Sequence, residues 1–309
     1  MIQRAPTGRG LRRTTSGTGP VQRHHDGRAA ALLVAPAVLG LVLFVYIPIA
    51  ISVVAGFLDI PISGRGIEPV GLDNFVAVLG DPQVHRATLN TILYSLLTIV
   101  PSVVLGLALA LALEVVGRGR AVASVLLFLP LTANLVAMAV VFRWIFAAPS
   151  GFLNQLLGPI GIGPVAFLGD TDTALVTVAL VGAWRSVSFA VVLFLAGLTT
   201  IPRSVHEAAA VDGVRGFAKV RLVIAPLLRP TIVLVVVLTA IQSIQVFDTV
   251  KVMTDGGPDG ATETLFTLIW RIGFSYYNLG EASALTLIVL AALVLVGVLR
   301  RRQLLRGGQ

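Results

Sequence analysis

The feature that most constrains this chain is a set of long stretches free of Asp, Glu, Lys and Arg. Ala29–Leu58, Ala87–Leu113, Ala121–Phe142, Pro230–Phe247 and Ala282–Leu299 are uncharged throughout, and Thr173–Pro202 is broken only by Arg185. A helix needs about 20 mainly apolar residues to cross the hydrocarbon core of a bilayer, so each stretch is a candidate span. With 56% hydrophobic and only 12% charged residues, the 309-residue chain does not have the composition of soluble domains. Trp144–Gly169 is also uncharged, but its glycines and Pro149, Pro159 and Pro164 would interrupt a helix, and it reads as an external loop. The expectation is an all-α polytopic membrane protein with six transmembrane helices, at about 29–58, 87–113, 121–147, 173–200, 230–250 and 281–299. A disordered basic tail, 1–28, precedes them, and a short tail, 306–309, follows.

The net charge of +8 tests this count, because alternate connections should differ in Lys and Arg. The tail to Arg28, the connection with Glu114, Arg118 and Arg120, the 201–229 connection and the end from Arg300 together hold 17 basic and 4 acidic residues, a balance of +13 against −5 elsewhere. Both termini are therefore expected in the cytoplasm. The same distribution accounts for the basic character without nucleic acid, and neither zinc-finger spacing nor an aromatic-interleaved basic patch is present. The partner this composition demands is the lipid bilayer.

Chemistry of the chain's own is hard to find. It has no cysteine, which excludes disulfides, thiolate nucleophiles and cysteine-ligated metals. The only lysines, Lys219 and Lys251, are each followed by Val, so no phosphate-binding G-x-x-x-x-G-K-[ST] loop exists. His206 precedes Glu207, but the second His of an H-E-x-x-H zinc site would fall at Ala210, and no G-x-S-x-G elbow occurs. No catalytic residue, metal site or cofactor is expected in this chain. A membrane enzyme using Asp residues, or a polytopic scaffold, is the alternative, although only Asp248 lies near a span interior.

The longest cytoplasmic connection, 201–229, carries a design. Ser204-Val205-His206-Glu207 has the S-x-x-E form of a capping box, Ala208, Ala209 and Ala210 favour helix, and Gly213 is placed to end it in a left-handed conformation. The result is about two turns with a small-residue surface. Phe217, Val220, Leu222 and Ile224 then resume an apolar pattern that stops at Pro226. On its own this could be a capped amphipathic linker on the membrane surface. Its spacing, however, resembles the EAA loop of binding-protein-dependent ABC importer permeases: Glu207, Ala208, Ala209, Gly213 and Pro226 fall in register, with Asp212 ahead of the glycine. Val223 stands where the family has Ile, and Ala225 where it has Leu.

Other segments, in one order along residues 30 to 300, resemble the carbohydrate-uptake branch of that family. They are Leu33-Val34-Ala35-Pro36 with Tyr46-Ile47-Pro48-Ile49, Val70-Gly71-Leu72-Asp73-Asn74-Phe75, Phe128-Leu129-Pro130, Phe142-Arg143-Trp144-Ile145-Phe146, Val246-Phe247-Asp248, Thr254-Asp255-Gly256-Gly257-Pro258 and Ala261-Thr262-Glu263-Thr264-Leu265. Gly280-Glu281-Ala282-Ser283-Ala284 departs from the pattern at Glu281, where the family usually has an aromatic residue. The resemblance implies a type I ABC importer permease (MetI-like) fold in a bacterial cell membrane. It implies a half-pore paired with a second permease subunit, seated on two ATP-binding subunits that use ATP and Mg, and fed a carbohydrate-like solute by an extracytoplasmic binding protein. It makes 201–229 the ATPase-coupling loop, through Glu207, Ala208, Ala209, Asp212, Gly213 and Pro226.

Polar residues inside spans tend to face protein or water. Arg185 lies near the middle of the fourth span, and Gln242, Gln245 and Asp248 recur at i, i+3 and i+6 in the fifth, one side of a continuous helix. They could line a translocation pathway with Trp184 and Phe247 stacked on the solute, or bond to neighbouring helices or the second subunit. Gly256-Gly257-Pro258 reads as a tight turn, either facing the binding protein or purely structural.

Overall fold

The computed structural model describes residues 27–61, 66–116 and 119–306, so the expected tails, 1–28 and 306–309, fall almost wholly outside the described residues. The chain divides at residue 51. In the first unit the described part is helical. Helix α1 (Gly27–Leu41) runs through a π-helical turn at Val42–Tyr46 into α2 (Ile47–Ala55), which carries the path across the division.

The second unit begins with a two-stranded antiparallel ribbon, β1 (Leu58–Asp59) on β2 (Glu68–Pro69). Then come α3 (Asp73–Gly80), the 34-residue α4 (Pro82–Val115), α5 (Arg120–Thr132), α6 (Leu135–Ile145), α7 (Phe152–Leu157) and α8 (Ala174–Leu198). The 201–229 connection holds α9 (Arg203–Val211), α10 (Gly216–Lys219) and α11 (Ala225–Leu227), the last two joined by a π-helical turn at Val220–Ile224. Helices α12 (Arg229–Ile244), α13 (Asp248–Met253), α14 (Leu265–Trp270) and α15 (Leu279–Arg306) complete the chain.

Ala31–Ala55, α4 and α8 are each long and apolar enough to cross a membrane alone; two bent pairs, α5 with α6 and Gly216–Leu227 with α12, have the length of two more, although in the second pair only α12 lies in the expected fifth span. The apolar part of α15, Leu279–Leu295, makes a sixth apolar helix, consistent with six spans. The third expected span, 121–147, is a broken helix: α5 and α6 meet at 101°. Asn134 causes the break to hold, since its side-chain oxygen accepts from the backbone N–H groups of Val136 and Ala137 and so caps α6. The fifth expected span, 230–250, also breaks. Its α12 ends at Ile244, Gln245–Phe247 leave the helical path, and α13 restarts at Asp248. Of the expected external loop Trp144–Gly169, Trp144 and Ile145 still belong to α6, and the rest is irregular apart from α7 and a short 3₁₀ turn. Buried Asn154 folds it on itself, donating to the carbonyls of Ala147 and Val165 and accepting from the N–H of Val165.

Helices α4 and α8 pack along most of their lengths, α5 lies on α8, and α12 lies on α4. Phe194, Val191, Leu198, Leu113 and Val235 form a buried cluster at one end of this group, joined by Ile224 and Leu228 of the 201–229 connection. Tyr94, Met138, Val178, Val246 and Val250 form a second cluster. A third unites α3, α4, α14 and α15 through Val78, Val84, Leu268 and Leu285. Small residues allow the α4–α8 contact: a Cβ on Gly106 would lie 2.7 Å from Ala190 Cβ. In α4, Thr98 bonds to the Tyr94 carbonyl and Ser102 to that of Thr98, which satisfies these hydroxyls within their own helix. Gly106→Val is therefore expected to lower stability by about 1–3 kcal/mol through overpacking. Gly80→Val, where nothing lies within 4 Å, is the control. Thermal unfolding in detergent should show a clear loss for the first and a smaller change for the second; equal midpoints would contradict the packing.

Candidate functional site

The break in the fifth span opens a cavity of about 220 Å³. Arg185 and Ser186 of α8, Gln242 of α12, the unwound Gln245 and Phe247, and Asp248 of α13 all line it. The four polar residues singled out in the sequence thus meet, although not as one side of a helix, because the chain leaves the helical path between Gln245 and Asp248. Trp184 is elsewhere. It packs edge-on against Phe142, ring centroids 5.2 Å apart, and lines an apolar groove with Leu97, Leu105 and Leu180. Of the two aromatics, only Phe247 is available to the cavity.

Tyr94, Thr98 and Ser243 also border it. The signal that could have found the first two is the spacing of Tyr94, Thr98 and Ser102, four residues apart on one face of α4. Gly182 lines the cavity and leaves room for the Tyr94 hydroxyl, which would lie 2.1 Å from a Cβ there. Ser243 donates to Ser95 Oγ at 2.9 Å, tying the end of α12 to α4.

A broken helix in a span is stable only if its freed backbone groups find other partners. Here they come from the 254–264 loop. Thr264 Oγ1 donates to the Val246 carbonyl at 3.2 Å, while Thr264 and Thr267 form a capping box that starts α14. The loop is itself held to α4: Asn90 donates to the carbonyls of Gly260 and Glu263, Arg86 to that of Asp259, and Thr91 Oγ1 accepts from Leu265 N–H. The turn expected at Gly256-Gly257-Pro258 sits slightly earlier. Asp255 and Gly256 take positive φ, 53° and 83°, and Gly257 N–H closes the turn on the Thr254 carbonyl. Glu263, 4% exposed, pairs with Arg271 at 2.6 Å, and Arg271 donates to the Asp255 carbonyl. Burial holds the Glu263 carboxyl above its ordinary range, against the opposing influence of Thr267 and Arg271. The folded loop thus binds that proton more tightly than the unfolded chain, so its stability falls as pH rises through the raised value.

The 201–229 connection differs from its expected cap. Pro202, extended at φ −61° and ψ 142°, is the N-cap, and Ser204 lies inside α9 with no capping bond. The proline supplies the residue ahead of the helix, so α9 starts two residues earlier than the S-x-x-E pattern implies. Glu207 instead pairs with Arg203 at 3.3 Å across one exposed turn. The C-terminal end forms as read. Gly213 has φ +72°, its N–H reaches the Ala210 carbonyl, and Val214 N–H reaches that of Ala209, a Schellman closure. Glu207, Ala208, Asp212, Gly213 and Pro226 are exposed, whereas Ala209 is buried. Ala225, half-buried, opens α11 without disturbing the neighbouring Ile224 and Leu228, both buried.

The comparisons with known proteins agree with this geometry. Residues 102–304 match the family described as binding-protein-dependent transport system inner membrane component. The chain belongs to this family. Among relatives of the permease, the sulfoquinovosyl glycerol transport system permease protein SmoG of Agrobacterium fabrum is 34% identical over 86% of this chain and 87% of its own. The trehalose/maltose transport system permease protein MalF of Thermococcus litoralis is 32% identical over 74% and 76%. The sn-glycerol-3-phosphate transport system permease protein UgpA of Agrobacterium fabrum is 32% identical over 85% and 90%. A crystal structure of a bacterial ABC transporter involved in import of the acidic polysaccharide alginate contains a chain that shares the permease's fold, with a TM-score of 0.75 at 22% identity over 90% of this chain and 96% of that one. The permease is thus a multi-pass inner-membrane transport component, not an enzyme.

Thr264→Val removes the donor to Val246 and the α14 cap while keeping the side chain's shape. It is expected to cost about 1–3 kcal/mol, the penalty for an unsatisfied buried group, whereas Thr264→Ser keeps the hydroxyl. Thermal unfolding of the two variants checks this; equal midpoints would mean that the hydroxyl does not support the break.

Proposed function

We propose that the permease forms half of the translocation pathway of an importer for a sugar or sugar-like solute, and that the cavity at the break in the fifth span is part of that pathway. The observation that carries this reading is the convergence of Arg185, Gln242, Gln245 and Asp248 on one cavity from three elements. Amide and charged groups around a partly apolar wall suit a hydroxyl-rich molecule, and Phe247 offers a surface for a ring face. The named sugar and glycerol-phosphate relatives support the solute class, and the alginate transporter, also crystallised with an alginate pentasaccharide-bound periplasmic protein, supports delivery by an extracytoplasmic binding protein.

In this reading a second permease subunit completes the pathway, two ATP-binding subunits use ATP and Mg, and both termini are cytoplasmic, as the distribution of Lys and Arg requires. The 201–229 connection meets the ATPase. Val211 and Phe217 there are 87% and 78% exposed, and Leu222 is also exposed, apolar surface that a partner's cleft would cover. Ile224 and Leu228, buried against Phe194 and Val235, carry any movement of the connection into the membrane helices.

Gly213 tests this link. Its surroundings are open, but its φ of +72° strains any L-residue by about 1–2 kcal/mol, most for a β-branched one. Gly213→Val is expected to assemble normally, as shown by co-purification with the ATPase, yet to lose most uptake in proteoliposomes. Wild-type uptake in that variant would overturn the coupling assignment. Gln245→Leu, with its polar group removed from the cavity, is expected to weaken uptake while leaving assembly intact.

A further inference from the structure

The charges in the cavity, Arg185 and Asp248, are not paired with each other as those of a purely structural network would be. The Arg185 side chain takes part in no hydrogen bond or ion pair among the described residues, and its Nε is buried without a partner. Among the described residues the ion pairs are Arg203–Glu207, Lys251–Asp255 and Arg271–Glu263; Asp248, although on the same cavity wall, is not within ion-pair distance of Arg185. The other cations near the break are engaged. Lys251 binds Asp255 and lies over the Trp270 ring at 3.5 Å, and Arg271 holds Glu263. A guanidinium in a membrane helix is costly unless an anion or several acceptors meet it. Arginine's planar fork is also suited to carboxylate, phosphate and sulfonate oxygens.

We propose that Arg185 selects for charge, and that the solute is an acidic sugar or sugar derivative whose anionic group pairs with Arg185 during passage while its hydroxyls meet Gln242, Gln245 and Asp248. This rests on the cavity being the pathway. Asp248 fits the scheme as an acceptor of hydroxyl protons, because a carboxylate can accept from two hydroxyls at once. Arg185 and Asp248 line one cavity without pairing, so a single molecule that is anionic at one end and hydroxylated at the other can meet both. A neutral sugar would leave the buried nitrogen of Arg185 with only weak acceptors, and the lost charge-assisted bond sets the size of the discrimination, about tenfold or more.

The test uses the assembled transporter in nanodiscs, purified through this chain, and measures binding of four matched probes by saturation-transfer difference NMR: glucose and its C6 carboxylate, phosphate and sulfonate counterparts. For the wild type, at least one anionic probe is expected to bind about tenfold or more tighter than glucose, and the three anions separate the possible headgroups. Arg185→Gln should abolish the preference while leaving glucose binding in place, and Arg185→Lys should keep part of it. Equal affinities for all four probes, no detectable binding of any, or an undiminished preference in Arg185→Gln would each overturn the proposal. Gln245→Leu, measured in parallel, separates the two levels. If it weakens every probe while Arg185→Gln changes nothing, the cavity stands and the charge selection falls; if neither variant alters any binding, the cavity itself is not where the solute sits.

Discussion

In a bilayer, every backbone N–H and C=O must find a partner within the protein, so a helix can be interrupted only where something else takes over its hydrogen bonds. That requirement organises this permease. At the bend between α5 and α6 the side chain of Asn134 supplies the acceptor. At the break after α12 the hydroxyl of Thr264 supplies a donor to Val246. Thr264 is in place because Asn90, Arg86 and Thr91 of α4 hold the 254–264 loop by its backbone. The cavity exists because the fifth span can afford to unwind, and it can unwind because a loop distant in sequence satisfies it.

The same helix connects the cavity to the 201–229 connection. Helix α12 has 16 residues, about 24 Å at the usual rise of 1.5 Å per residue. At its start the chain bends by 76° out of Gly216–Leu227, with Ile224 and Leu228 buried there. At its other end Ser243 is bonded to Ser95 and Gln245 leaves the helix. Under the proposed function, α12 is the element through which a displacement of the connection would reach Gln242, Gln245 and Asp248. The exposed apolar side chains Val211, Phe217 and Leu222 and the left-handed Gly213 lie on the connection itself, where the partner would act.

Much of this was legible in the sequence because it depends on local rules. Charge-free runs mark helices in lipid, and Gly213 ends α9 as the pattern of small residues and glycine implies. The family resemblance reached the 254–264 loop. What could not be read depends on contacts between distant segments. The i, i+3, i+6 spacing of Gln242, Gln245 and Asp248 presumes an unbroken helix, yet the break is set by Thr264, 18 residues from Val246. The S-x-x-E cap is overridden by the proline two residues before Ser204. Trp184 and Arg185 are adjacent, but successive helical residues point about 100° apart, and only the packing of α8 on α4, with Trp184 against Phe142, decides which one meets the cavity.

Because the chain has no cysteine, single-cysteine variants report accessibility without background from this subunit. In the assembled transporter, Gln245→Cys is predicted to react with a membrane-impermeant maleimide, at a rate that changes several-fold when the ATPase partner is trapped with a nucleotide analogue, and to be protected by solute. Val235→Cys, in the buried cluster beside Phe194, should stay unreactive in both states. If Gln245→Cys proved as inert as Val235→Cys in every state, the break in the fifth span would not open onto a solute pathway, and the central claim would fail.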